Sequence, residues 1–340
     1  MAAAVAWPVM TGSPIVSYAQ NGEDVVLWRA LGHIEGGVYV DVGANDPVED
    51  SVTKVFYDRG WRGLDVEPVA EYAEALRAER PRDHVAEVAI TGEDHGSVTL
   101  HEVVGTGLST LRNGIADEAA GRGFPTRDVT VPTRTLRSLV DEHLGDQDVH
   151  FCKIDAEGVE AEVLASVDLE AWRPWVLVVE ATHPNTAEPT WIKWQDGVLA
   201  AGYRLCLFDG LSRFYVSEER AGELEERLSY PACPLDDYVH ISSVRLRNEL
   251  NDLQRVHHEA HQELAVRHRR IESLEAEVES LRHDLVHWRR AALESWGESV
   301  SAHGGPVATQ LQAELEAMRE TVSWRVTRPL RSVRSRMGSR

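Results

Sequence analysis

Five acidic residues recur at one kind of place in this chain, directly at the end of a short apolar run. Asp41 stands in Val38-Tyr39-Val40-Asp41-Val42, Glu67 follows Leu64-Asp65-Val66, and Asp155 follows Lys153-Ile154. Glu180 follows Val176 to Val179, with His183 three residues on, and Asp209 follows Tyr203 to Phe208. Ligands of open α/β sheets gather beyond the carboxyl ends of the strands, so parallel strands would bring these acids to one edge. Each acid there has a chemistry. Glu67 can accept both hydroxyls of a ribose; as a bland alternative it is an acid at a helix N-terminus. Asp41 can accept hydrogen bonds from an ammonium group or from the backbone near Gly43. Asp155, Glu157 and His183 stand where a proton could be removed from a bound hydroxyl, and histidine has a suitable unperturbed pKa. The competing readings are a helix cap for Glu157 and an ordinary loop histidine for His183. Asp155 and Glu180 could instead share a divalent metal such as Mg²⁺, which carboxylate pairs suit.

The turn after the first strand narrows the ligand. A pyrophosphate cofactor calls for G-x-G-x-x-G, because the backbone must approach phosphate closely. Here Gly43 stands alone, in Asp41-Val42-Gly43-Ala44-Asn45. This fits a cofactor without phosphates that presents an amino group and a ribose, and S-adenosylmethionine (SAM) answers to that description. Asp46-Pro47 reads as a helix N-cap and first helical residue, so Asn45 and that helix start could hold a carboxylate.

Alternation of short apolar runs with helical patterns over residues 15–243 predicts a mainly parallel sheet. Strands are expected at Val38–Val42, Gly63–Val66, Val85–Ile90, Val149–Ile154, Val176–Val179 and Tyr203–Phe208. Asp209-Gly210 then turns into a reversed strand over Arg213–Val216. The expected class is α/β: a Rossmann-like class I methyltransferase fold with a seven-stranded, mostly parallel sheet, followed by an α-helical coiled coil. Residues 97–132 read as an inserted flap over the site.

From Leu246 the period changes. Leu246, Leu253, Ala260, Arg267, Leu274, Leu281 and Trp288 recur every seven residues, and Leu250, His257, Leu264, Ile271, Val278 and Leu285 recur between them. Only His257 and Arg267 interrupt this apolar heptad seam. Flanking pairs Glu263–His268, Arg270–Glu275, Glu277–Arg282 and Asp284–Arg289 could attract across a parallel dimer; a longer or antiparallel assembly is the alternative. The seam spans roughly 65 Å at about 1.5 Å per residue. The expected organisation is a flexible N-terminus over 1–14, a catalytic domain over 15–243, a dimerising coiled coil over 244–296, a linker over 297–306, and a helix with a basic tail over 307–340. The tail holds Arg319, Arg325, Arg328, Arg331, Arg334, Arg336 and Arg340 against Glu320. Such a tail could lie on an anionic membrane surface or be a disordered basic end.

Charge follows the same division. Residues 1–243 hold 42 acids and 19 bases, a net −23, whereas residues 244–340 hold 14 acids and 16 bases, a net +2. The acidic part argues against nucleic acid as a partner. The apolar stretch Met1–Met10 lacks a positive flank and is broken by Pro8, so no signal peptide is expected. Three cysteines, Cys152, Cys206 and Cys233, have neither disulfide nor metal spacing, which suits a reducing cytosol. The expected location is cytoplasmic, with the tail able to reach the cytoplasmic membrane.

Several segments together resemble the FkbM-type SAM-dependent O-methyltransferases: Ser17-Tyr18-Ala19-Gln20-Asn21-Gly22-Glu23-Asp24, Asp41 to Asp46, Gly60-Trp61-Arg62-Gly63, Val66-Glu67-Pro68, Leu108-Ser109-Thr110-Leu111, Lys153 to Gly158, Arg173-Pro174-Trp175 with Val179-Glu180, and Asp209 to Tyr215. The resemblance covers roughly residues 15–220 and implies methylation of a hydroxyl on a sugar or a polyketide-like acceptor. It places Gln20 and Asp24 near the cofactor and Ser109 and Thr110 on the flap side. Gly43, Ala44, Asn45, Ala89 and Asp155, with Asp41 and Glu67, complete the expected cofactor site. The order of methyltransferase, coiled coil and basic tail also resembles chain-terminating polysaccharide methyltransferases, which implies a glycan acceptor and glycosyltransferase neighbours. Two other readings compete: a coiled-coil scaffold for glycan assembly with secondary or lost methylation, and a nucleotide-sugar oxidoreductase with a degenerate turn.

Overall fold

The structure, a computed structural model, describes residues 14–107, 109–183, 186–302 and 305–321. The apolar stretch Met1–Met10 and the arginines beyond Thr321 lie outside the described residues. The chain divides into two units, Met1–Asn248 and Glu249–Arg340.

In chain order the first unit runs β1 (Ile15–Ser17), α1 (Glu23–Leu31), β2 (Val38–Val42), α2 (Lys54–Asp58), β3 (Arg62–Val66), α3 (Ala70–Glu79), β4 (His84–Ala86) and β5 (Ala89–Ile90). The flap follows as β6 (Ser97–Val103), α4 (Asn113–Gly121) and β7 (Thr126–Arg134). Then come α5 (Leu136–His143), β8 (Phe151–Ile154), α6 (Glu160–Ala165), β9 (Val176–Glu180), α7 (Gln195–Ala200), β10 (Tyr203–Phe208), β11 (Ser212–Ser217), α8 (Glu218–Leu228) and β12 (Tyr238–His240). The helix α9 (Ile241–Ala302) starts in this unit and continues into the second, where α10 (Pro306–Arg319) follows.

The main sheet has seven strands in the order β10-β11-β9-β8-β2-β3-β4, and β11 runs antiparallel to both its neighbours. Six parallel strands with one reversed strand is the arrangement expected from the sequence. Helices cover both faces, so β2 and β9 are buried along their whole length and read as nearly unbroken apolar runs. On one face Val38, Val40, Val42, Leu64, Ile154 and Leu177 pack with Leu136 and Leu139 of α5 and Val163 of α6. On the other, Tyr39, Phe151, Val178 and Phe214 pack with Leu27 of α1, Phe56 of α2 and Leu224 of α8.

Strand register then fixes where the charges go. Side chains alternate faces, so Asp41 shares its face with Tyr39 and Lys153 with Phe151. Asp65 stands beside Asp41 on one neighbouring strand and Lys153 on the other. Three ionisable groups therefore lie side by side at the carboxyl end of one sheet face.

Three local expectations change. The run Val85–Ile90 is two strands: β4 extends the main sheet beside β3, whereas β5 pairs with β7 in a separate sheet ordered β5-β7-β6. The half-buried Glu87, paired with Arg77 at 3.0 Å, marks the break. No helix opens at Pro47, and the next helix starts only at Lys54. Asp46 Oδ1 instead accepts from the Val48 and Glu49 amides, both at 2.8 Å, closing a side-chain turn that competes with a helix start. At the other end α9 passes through Gly297 to Ala302, because one glycine costs only about 1 kcal/mol in a helix interior.

Candidate active site

A cavity of about 220 Å³ opens beyond the carboxyl ends of β2, β3 and β8, under the flap. Its floor is set by a close approach of two turns. Gly43 has φ +75°, and a Cβ there would sit 1.8 Å from the backbone oxygen of Asp155. Only glycine lets the turn after β2 touch the turn after β8 in this way. Asn45 follows with φ +51°, a conformation asparagine tolerates better than most side chains.

Gln20, Gly43, Ala44, Asn45, Glu67, Ala89, Ser109, Asp155 and Glu157 all line this cavity. Glu67 is buried and spends both oxygens on backbone donors, the Asn45 amide and the Val69 amide, each at 2.8 Å. It thereby ties the turn after β2 to the turn after β3. Burial pushes its carboxyl up to about 7 against these bonds. Asn45 lines the cavity, and its buried Oδ1 has no hydrogen-bond partner.

Other expected residues lie elsewhere. Asp24 does not line the cavity. It is buried and accepts from Ser17 Oγ at 2.8 Å and from the Tyr18, Ala19 and Val25 amides at 2.7, 3.3 and 2.8 Å. It clasps the opening loop onto α1, and through that loop it fixes the position of Gln20. Asp41 lies behind the cavity wall, accepting from Thr53 Oγ1 at 2.8 Å and facing Lys153 Nζ at 3.3 Å. His183 also stands outside the lining; its backbone closes a turn with Thr186 and Glu188. Thr110 anchors the flap, donating its hydroxyl to the Glu157 carbonyl at 2.7 Å. Asp155 and Glu180 form no three-ligand group with a further His, Cys, Asp or Glu among the described residues. Glu180, buried and outside the lining, has its carboxyl pushed up to about 12 by burial and then by Asp155, Glu157 and Glu160.

The residue that sequence reasoning passed over is Lys153. Its ammonium donates to the Gly43 carbonyl at 2.7 Å and lies 3.3 Å from Asp41 Oδ1 and 3.6 Å from Asp155 Oδ2. Burial works against its charge, but Asp41 and Asp155 outweigh it and hold the lysine above its ordinary value. The signal was present: one lysine inside the apolar strand Phe151-Cys152-Lys153-Ile154 must have a partner. Behind it runs a second buried link. Arg80 donates to Thr53 Oγ1 at 2.7 Å, to Ser51 Oγ at 2.6 Å and to the Pro47 carbonyl at 2.6 Å, and lies 3.7 Å from Asp65. Thr53 joins Arg80 to Asp41, so a continuous chain of polar contacts runs from Asp65 to the cavity edge at Asp155.

At that edge Glu157 sits at φ +49°. Burial, and then Asp155 and Glu160, push its carboxyl up to about 9, so it carries a proton at neutral pH. Asp155, with its side chain 38% exposed and Lys153 beside it, is the more open of the two. Chemically the cavity offers buried acceptors at Glu67 and Asn45 and an accessible carboxyl group at Asp155.

Residues 41–205 match the model of the methyltransferase FkbM domain. This segment is a methyltransferase FkbM domain. Its sheet has the class I methyltransferase strand order, with the reversed strand inserted beside the last parallel one. No curated protein matches the chain. Among solved structures, a TehB-like SAM-dependent methyltransferase from Corynebacterium glutamicum ATCC 13032 Kitasato overlaps 58% of this chain and 88% of its own, at 10% identity and a TM-score of 0.35. A SAM-dependent methyltransferase from Geobacter sulfurreducens in complex with S-adenosyl-L-homocysteine overlaps 57% of this chain and 67% of its own, at 11% identity and a TM-score of 0.26. One from Thiobacillus denitrificans, in complex with the same compound, gives 58% and 69%, at 12% identity and a TM-score of 0.26. These overlays are loose, and the fold rests on the strand order.

Proposed function

We propose that the methyltransferase domain moves a methyl group from SAM to a hydroxyl of a sugar, in the assembly of a surface polysaccharide or glycoconjugate. The observation that carries the reading is the cavity at the Gly43 turn, lined by Glu67, by Asn45 with its unpartnered Oδ1, and by Asp155. The residues fit SAM. Glu67 would take the ribose hydroxyls, Asn45 would accept from the amino group, and Gly43 and Ala44 would let the ligand lie close to the backbone. The acid-rich wall favours a cation such as a sulfonium. SAM supplies an electrophilic methyl group, so the protein has only to position the acceptor in line and take one proton.

Asp155 is the group for that proton. It opens to the cavity, and the Lys153 ammonium holds it in place from behind. Glu157, protonated at neutral pH, donates a hydrogen bond to the acceptor and so orients it. The flap contributes Thr106 and Ser109 to the cavity lining. Mass spectrometry of surface glycan from cells with and without the gene tests the acceptor. The proposal expects an increment of about 14 daltons per methyl group, the net CH₂ gained when CH₃ replaces H, that is restored by the wild-type chain and not by Asp155→Ala. Identical glycan in both strains would contradict it.

A further inference from the structure

The helix α9 presents an apolar stripe to solvent. Over α9 the seam residues Leu246, Leu250, Leu253, Leu264, Ile271, Leu274, Val278, Leu281, Leu285 and Trp288 are 41–73% exposed. A helix of 62 residues, about 93 Å long at 1.5 Å per residue, does not keep such a stripe in water. We propose that it pairs with the same helix of a second copy of this chain, parallel and in register.

The charges beside the stripe choose this occupant. With the Leu250 series at position a and the Leu246 series at d, position g carries Glu263, Arg270, Glu277 and Asp284, and position e carries His268, Glu275, Arg282 and Arg289. In an antiparallel pair g meets g and e meets e. Mostly acidic residues would then meet acids, and mostly basic ones would meet bases. In a parallel pair g meets the following e of the partner, and every one of these four contacts joins opposite signs, that of His268 when it is protonated.

Register follows from the one inverted pair, Arg270 with Glu275. Sliding one helix by a heptad in one direction sets Glu263 against Glu275 and Arg270 against Arg282. On the opposite flank the same slide sets Glu277 against Glu275 and Arg270 against His268. Only the unshifted pairing is free of like-charge contacts. Within one helix Glu263 bonds to Arg267, His268 lies 3.5 Å from Glu272, and Arg282 lies 3.5 Å from Glu279. These contacts are exposed and weak, and they leave the same charges able to turn toward a partner.

The test uses the full chain. Light scattering during gel filtration should give twice the 37.9 kDa chain mass. Mild oxidation should join Leu281→Cys chains into a covalent dimer, with the wild type as control for Cys152, Cys206 and Cys233. Leu281 meets itself in the parallel register, whereas in an antiparallel pair it would face the opposite end of the seam. Arg270→Glu should weaken the dimer on the order of tenfold, since two attractive contacts per dimer become repulsive. The double variant R270E/E275R should restore it. A mass of one or three chains, no cross-link at position 281, or no rescue by the double variant would overturn the proposal. Methyl-transfer activity plays no part in these readouts, so the dimer and the proposed reaction fail separately.

Discussion

Substituting Gly43 with alanine isolates the contact that builds the cavity floor. The residue sits at φ +75°, and its added Cβ would lie 1.8 Å from the Asp155 carbonyl oxygen. The left-handed conformation costs a non-glycine residue roughly 1–2 kcal/mol. Relieving the overlap requires backbone to move, and overpacking of this kind typically costs about 1–3 kcal/mol. The total is about 2–5 kcal/mol. Gly36 separates the two contributions, because it has φ +63° and nothing within 4 Å of an added Cβ. Gly36→Ala should therefore lose only the conformational part, roughly 1–2 kcal/mol. Urea unfolding of the full-length protein, followed by tryptophan fluorescence, measures both. Gly43→Ala should also weaken S-adenosylhomocysteine binding, because the turns it pushes apart line the cavity. Equal destabilisation by the two variants, with unchanged binding in Gly43→Ala, would refute the reasoning.

Two further outcomes follow from the charges around the cavity. Lys153→Met should destabilise the first unit by about 3–5 kcal/mol, because Asp41 would be left buried without its cation, and chemical denaturation checks this. Glu67 and Glu157 have their carboxyls raised to about 7 and about 9 from an ordinary value near 4.5. A raised carboxyl binds its proton more tightly in the folded state, so its stabilising contribution is complete below 4.5 and is lost as pH rises through about 7 and then about 9. The urea midpoint should fall between pH 6 and pH 9 (roughly the span of those two titrations), and Glu157→Gln should flatten the upper part of that fall. A midpoint that rises over this span would contradict the assignment.

The sheet was legible because its signals are strong and local. Val38–Val42 and Tyr203–Phe208 are apolar runs with clear turns after them, and both strands have the bounds the sequence predicts. The acids at the strand ends were equally plain. What sequence reasoning could not see was which of them face the ligand. Asp41 and Asp65 lie within β2 and β3 and meet a buried lysine and arginine, whereas Glu67 lies just past the end of β3, in the turn that borders the cavity. The contributions of Thr53 and Arg80 come from residues distant in sequence and carry no motif. The Asp46-Pro47 expectation failed because one aspartate can cap a helix or close a turn, and local pattern does not distinguish the two. The Val85–Ile90 run was misread as one strand because pairing with the flap, a tertiary contact, divides it.

The central claim is that SAM binds where Glu67 joins the turns after β2 and β3. Calorimetric titration of the full-length protein with S-adenosylhomocysteine tests it most directly, comparing wild type with Glu67→Gln. The glutamine keeps the shape but sets a donor against a backbone amide, leaving a buried group unsatisfied at about 1–3 kcal/mol. One site per chain is expected, with a loss of affinity of about five- to 150-fold in the variant. No binding to the wild type, or equal affinity in both proteins, would contradict it.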